Sequence, residues 1–209
     1  MVISPGVLAS SPKGHLSIHS SGSGQLTIHD DQLVASGLTL WHTGSGRLQL
    51  RCSSISADIV DVTSRGRGMV ALCTSSLTAS DLSIANHSSG VIYVKDTTRV
   101  LTHDARVVNR GTGAIRLGLN TLIADELMLV VGGSGPILMS TTAALNVALL
   151  DSRICSSGSL QLTCDQDASS CVAHHIALAS SGNLSTNVTA GSSHTNLSGS
   201  GCVRYVSPC

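Results

Sequence analysis

The sequence predicts an all-β chain wound into a parallel β-solenoid of the right-handed β-helix type, with about eight coils of about 22 residues and three short strands in each. Three observations carry this. Glycines recur at Gly24, Gly46, Gly68, Gly90, Gly113, Gly135, Gly158, Gly182 and Gly201, and subtraction gives spacings of 22, 22, 22, 23, 22, 23, 24 and 19 residues. A self-similar period of this length marks stacked repeats. Apolar residues after each glycine alternate with a period of two rather than 3.6, which excludes helical repeats, as does the crowding of Gly, Ser and Thr. The core has to be built from small aliphatics, because 42% of residues are hydrophobic while the chain holds one Trp, two Tyr and no Phe.

The first strand of each coil follows the glycine. Its inward pairs are Leu26 and Ile28, Leu48 and Leu50, Val70 and Leu72, Ile92 and Val94, Ile115 and Leu117, Ile137 and Met139, and Leu160 and Leu162. Leu184 and Thr186, then Val203 and Tyr205, continue the series with one polar member. A short middle strand carries Leu33 and Ala35, Ile55 and Ala57, Leu77 and Ala79, Val100 and Thr102, and Leu122 and Ala124, the small Ala suiting a crowded corner. The third strand carries Leu16 and Ile18, Leu38 and Leu40, Val60 and Val62, Leu82 and Ile84, Ala105 and Val107, and Leu127 and Leu129. Three strands per coil give a roughly triangular section.

The corner is written most fully as Ser/Thr-Gly-Ser-Gly, at Thr43 to Gly46 and Ser198 to Gly201. Glycine accepts positive φ, so these positions are predicted to turn sharply by that freedom. One coil cannot bury its apolar side alone; coils stacked about 4.8 Å apart pair their backbones above and below and share a core. The repeats run over roughly residues 14–206, so the 209 residues are read as one domain.

Twelve basic and twelve acidic residues cancel, which gives no electrostatic reason to expect nucleic acid as a partner. No run approaches the roughly 18 apolar residues of a membrane-spanning helix, so direct membrane insertion is not expected. The stretch Met1 to Pro12 has no charged segment followed by an apolar one, so no secretory leader is read there.

Cysteine usage singles out the C-terminal third. Cys52, Cys73, Cys155, Cys164, Cys171, Cys202 and Cys209 are odd in number. Cys202 and Cys209 flank the last strand and would clasp that end as a disulfide. Cys52 and Cys73 follow equivalent strands in adjacent coils, and packing and pairing stand equal for them. Cys164, Cys171, His174 and His175, with Cys155 nearby, are the one set with metal-ligand chemistry. Their spacing is looser than a zinc finger, which favours a loop disulfide or unpaired thiols, and no cofactor is assigned. Asn-x-Ser/Thr sequons stand at Asn86, Asn183, Asn187 and Asn196. With the cysteines they lean towards an extracellular or cell-surface location.

The Gly-Ser-Gly corner, the Leu-x-Leu strand after it, and the closing Gly199-Ser200-Gly201-Cys202-Val203-Arg204-Tyr205 resemble the GIN domain, a head domain of bacterial autotransporter adhesins. The resemblance implies a β-helix-like solenoid and an adhesive role, and it brings no catalytic residues. Cys202 stands where the family usually has Asp, and its initial segment is not evident before Leu16, so the chain reads as a divergent or truncated copy.

Enzyme signatures are scarce. The sequence has no nucleophile elbow, phosphate loop or His-Glu-x-x-His, and Glu126 is its only Glu. Trp41, Tyr93 and Tyr205 are scattered over different coils, and no carboxylate pair at glycosidase separation is read. Arg47, Arg51, Arg65 and Arg67 gather at adjacent corners and are read as solvated. The expectation is a non-catalytic scaffold, an adhesin or binding module for a protein or glycan surface ligand. A structural polymer joined through solenoid ends is the first alternative, and a carbohydrate-active β-helix of the lyase or hydrolase kind is the second.

Overall fold

A computed structural model describes residues 2–3, 11–165 and 170–206. Alternating inward aliphatics favour extended chain, and each stretch between glycine turns is one long β run. These runs are β3 (Gln25–His42), β4 (Arg47–Ser64), β5 (Met69–Asn86), β6 (Val91–Asn109), β7 (Ile115–Val131) and β8 (Ile137–Ile154). Before them come β1 (Val2–Ile3) and β2 (Ser11–Ser20). After them β9 (Ser159–Cys164) and β10 (Ser170–Leu178) share one coil, and β11 (Asn183–Thr186) and β12 (Ala190–Leu197) the next, with β13 (Val203–Tyr205) beyond. All belong to one parallel sheet wound into a β-solenoid of about eight turns, as the sequence predicts.

The three predicted strands survive as segments within each run. Between β3 and β4 the pairing skips only Asp31/Ser53 and Ser36/Asp58, leaving straight segments at 25–30, 32–35 and 37–42. One-residue corners therefore separate three faces, called here first, second and third from the glycine turn onward. The longer coils place their extra residue at the first corner, where the register shifts between Cys73 and Ser76 and between Leu119 and Thr121. Asp96 absorbs one such residue with φ 62°, a left-handed conformation that Asp tolerates better than most side chains.

The predicted inward residues form the core, except Tyr205 in the last coil, which is exposed. Leu38, Val60, Leu82, Ala105, Leu127 and Leu150 make one buried column, and Leu40, Val62, Ile84, Val107 and Leu129 the next. Ala35, Ala57, Ala79 and Ala124 are the last inward residues before the second corner, all buried. A polar column runs beside the glycine turns: His42, Ser64, Asn86 and Asn109, followed by Val131, Ile154 and Leu178, all fully or nearly fully buried.

The corner glycines are required for a reason other than the predicted one. None has φ in the left-handed range. Instead the turn backbone lies directly on the turn below, so that a Cβ on Gly113 would overlap the carbonyl oxygen of Gly90. Turn amides bond downward in the same way, Gly68 N–H to Gly44 C=O at 3.0 Å and Gly135 N–H to Gly111 C=O at 3.0 Å. Close stacking, not chain reversal, excludes the side chain.

His174 continues the column of Leu127 and Leu150 into the C-terminal coils, where it is buried and bonded to Ser152 Oγ at 3.0 Å. Burial pushes its imidazole down from 6.5 to about 4. Between those two values the unfolded chain binds a proton that the folded chain refuses, so stability is complete above pH 6.5 and is lost as pH falls towards about 4. The expected loss is about 3 kcal/mol. Urea midpoints across that range should fall in the unaltered chain and flatten in His174→Leu; parallel curves for the two would refute the assignment.

Candidate functional site

The second face carries the site. Its outward residues stack in register as Val34, Ser56, Thr78, Leu101 and Ile123, on five consecutive coils. With the corner residues Asp58, Ser80, His103 and Asp125 they line an open groove of about 440 Å³ that runs along the solenoid axis. Five rungs at about 4.8 Å make it roughly 20 Å long. The hydroxyls of Ser56 and Thr78 lie between Val34 at one end and Leu101 and Ile123 at the other, and no Trp, Tyr or Phe lines it.

The groove is bordered by acid. Asp81, Asp104 and Glu126 occupy one ladder position on three successive coils, on the third face beside the second corner. Like charges stacked in register repel. This column is absent from the sequence reading because its members stand 23 and 22 residues apart along the chain. The signal was present, since the three stand nine residues before Gly90, Gly113 and Gly135 respectively.

Ser80, His103 and Asp125 likewise stand ten residues before those glycines, an order that suggests a nucleophile, a base and its orienting carboxylate. Only the last two are joined, with His103 Nδ1 2.9 Å from Asp125 Oδ2. Hydrogen bonding to Asp125, and then its charge, raises the His103 pKa. Both side chains are 76% exposed, so water competes for every group a catalytic relay would have to isolate.

The structure disperses the one set of residues with metal-ligand chemistry. His174 points into the core and His175 outward, where its ring meets that of His194 at 6.3 Å. Adjacent residues of a strand cannot converge on one ion. Cys171 is buried against the Val147 rung, and Cys164 ends β9 opposite Thr141. Among the described residues no group of three or more His, Cys, Asp or Glu is placed to hold a metal.

Cys52 and Cys73 are free, buried thiols rather than a disulfide. Cys52 pairs across the ladder with Thr74, and Cys73 with Arg51, which puts the two sulfurs on opposite sides of the sheet. Burial, then the charge of Asp30, pushes the Cys52 thiol up to about 12, far from a reactive thiolate. Cys202 is exposed and its thiol donates to Asn183 Oδ1 at 3.2 Å, while Cys209 lies outside the described residues.

The sequons divide. Asn86 is fully buried, with its amide bonded to Gly90 C=O at 2.9 Å, so the folded chain denies a glycosyltransferase access. Asn187 is half-buried and clasps the backbone of Cys164, accepting its N–H at 2.7 Å and donating to its C=O at 2.6 Å. Asn183 and Asn196 remain exposed. Of the arginines gathered at the corners, Arg65 lies over the Trp41 ring, 5.1 Å from its centroid.

Among the described residues no helix is long and apolar enough to cross a membrane. Comparison of the chain with protein-family models, with curated proteins and with solved structures finds no match.

Proposed function

We propose that the chain is a non-catalytic β-solenoid scaffold, an adhesive or binding module at the cell surface, whose axial groove takes an extended protein or glycan ligand. The observation that carries this reading is the groove itself, which crosses five coils in register with both aliphatic and hydroxyl contacts. Such a strip suits an elongated chain better than a compact small molecule. The Gly-Ser-Gly resemblance supports adhesion, and the exposed Asn183 and Asn196 are compatible with an extracellular setting.

The disposition of titratable groups supports the non-catalytic part. Cys171 and His174 have pKa values shifted mainly by burial and do not line the groove, and Cys52, which borders a separate open cleft beside Asp30 and Arg51, has its thiol pushed up, away from a reactive thiolate. Catalytic groups with such shifts belong in a cleft. The His103–Asp125 pair, which does line it, is solvated.

Leu101→Arg fills the middle of the groove from an outward position without disturbing the core. Ligands captured by the unaltered chain from arrays of linear glycans and extended peptides should be lost by this variant. Equal capture by both, or turnover of a bound glycan, would overturn the reading.

A further inference from the structure

The chain is neutral overall, yet the charged residues of each outer column of the third face are of one sign, with Asp61, Arg106 and the Asp151–Arg153 ion pair between them. Asp81, Asp104 and Glu126 form one edge. Along the other edge stand Arg65, His87 and Arg110, whose backbone N–H groups bond to His42, Ser64 and Asn86 C=O respectively, the same rung position one coil apart. Burial, then the charges of Arg65 and Arg110, lowers the His87 pKa, consistent with all three side chains crowding one ridge.

Six residues separate Asp81 from His87 and Asp104 from Arg110, so the two edges are about 20 Å apart on extended chain. Between them lie the half-buried Ala85 and Val130 and the buried Val108, with Arg106 and Met128 alongside. Among the described residues none of Asp81, Asp104, Glu126, Arg65 and Arg110 forms an ion pair within the chain. The acidic edge thus stacks like charge on like, and on the basic edge His87 stands between two arginines, of which Arg65 is partly accommodated by the Trp41 ring.

We propose that the third face is a self-complementary interface, on which a second copy of this chain docks face to face with its solenoid axis parallel to the first. A twofold axis running along the solenoid places the acidic edge of each copy opposite the basic edge of the other, and the apolar strip against its own counterpart. Such an isologous contact closes on itself as a dimer. A face about 20 Å wide on about eight coils covers roughly 800 Å² per partner, the size of a standard stable interface. The groove lies on the second face and stays open in the dimer, so this inference stands apart from the groove reading.

The test is sedimentation velocity on the full chain and on two charge-reversed variants, Asp81→Lys/Asp104→Lys and Arg65→Glu/Arg110→Glu. The unaltered chain should form a dimer at about 0.05 M salt, with a dissociation constant at least about tenfold weaker at 0.5 M. Each variant alone brings like charge against like and should remain monomeric. Mixed together they restore both contacts, and a heterodimer should appear. A merely structural role for these residues would not produce that rescue. An unaltered chain that stays monomeric at low salt, a dimer indifferent to salt, or folded variants whose mixture stays monomeric would each overturn the proposal. The salt series needs no variant, so misfolding of either one leaves the proposal falsifiable.

Discussion

Gly113→Ala is expected to lower stability by about 4 kcal/mol or more, and the melting temperature by roughly 10 °C, while Gly24→Ala changes little. Both glycines occupy the same place in the repeat, and a flexible-turn explanation would rank them equally. The stack ranks them differently. A Cβ on Gly113 would enter the backbone of the coil below, meeting the carbonyl oxygens of Gly90 and of Ser89, neither of which can swing aside as a side chain would. To admit the methyl group the turn has to lift, and lifting breaks the Gly113 N–H bond to Ser88 C=O at 3.1 Å. No described atom lies within 4 Å of the corresponding position on Gly24. Thermal unfolding of the two variants measures the contrast directly. Equal and small effects at both sites would show that adjacent coils are not in this close contact.

Asn109→Val is expected to cost about 3 kcal/mol although it is nearly matched in size to its surroundings. The same column position is filled by valine one coil later, at Val131, so shape alone would permit the change. Hydrogen bonding does not. At Gly24, Gly46 and Gly68 the turn carbonyl receives the N–H of the first residue of the next coil, as Gly46 C=O does from Met69 at 3.0 Å, whereas Gly90 C=O receives the side-chain amide of Asn86 at 2.9 Å. At Gly113 the residue in that role is Pro136, which has no N–H to give. Asn109 Nδ2 supplies the missing donor at 2.7 Å, and its Oδ1 accepts from Gly111 N–H at 3.1 Å. Valine would leave a buried carbonyl and a buried amide unpaired, each a cost of about 1 to 3 kcal/mol. A double change, Asn109→Val with Pro136→Ala, returns an N–H at the place where proline lacks one and should recover part of the loss. No recovery would show that the asparagine acts through something other than the proline gap.

Much of the fold was legible because inward residues and glycines repeat at one period, and the eye needs only that period to align them. Leu38, Val60 and Leu82 fall in a column in the sequence just as they do in the core. What the glycines were for was not legible. A glycine in a turn and a glycine against a neighbouring backbone look alike in one dimension, and only the stacking separates them. The Cys/His set shows the converse. His174 and His175 are adjacent in sequence, yet alternation sends them to opposite sides of the sheet. Nearness along a strand is a poor guide to convergence.

The groove and the two charged edges were recoverable in principle. Asp104 and Glu126 lie 22 residues apart, so they become neighbours only when outward positions are aligned coil by coil as the inward ones were. Arg65, His87 and Arg110, three residues before Gly68, Gly90 and Gly113, answer to the same alignment. The burial of Asn86 followed from its place in the inward column beside Ser64 and Asn109, a position a sequon pattern does not reveal.

The downward hydrogen bonds of the turns also bear on how the chain reaches its structure. Gly46, Gly68, Gly90 and Gly135 each donate to a carbonyl one coil earlier, and the ladder pairs residues one coil apart throughout. A typical contact therefore spans about 22 residues of 209, which puts the relative contact order near 0.1. That value belongs with helical bundles, whereas β-sandwiches have to close far longer loops before their strands are rewarded. Once two coils have met, each further coil adds its rung to an edge already in place. The chain is thus all β in its hydrogen bonding and close to a helical protein in the kinetic difficulty of making it.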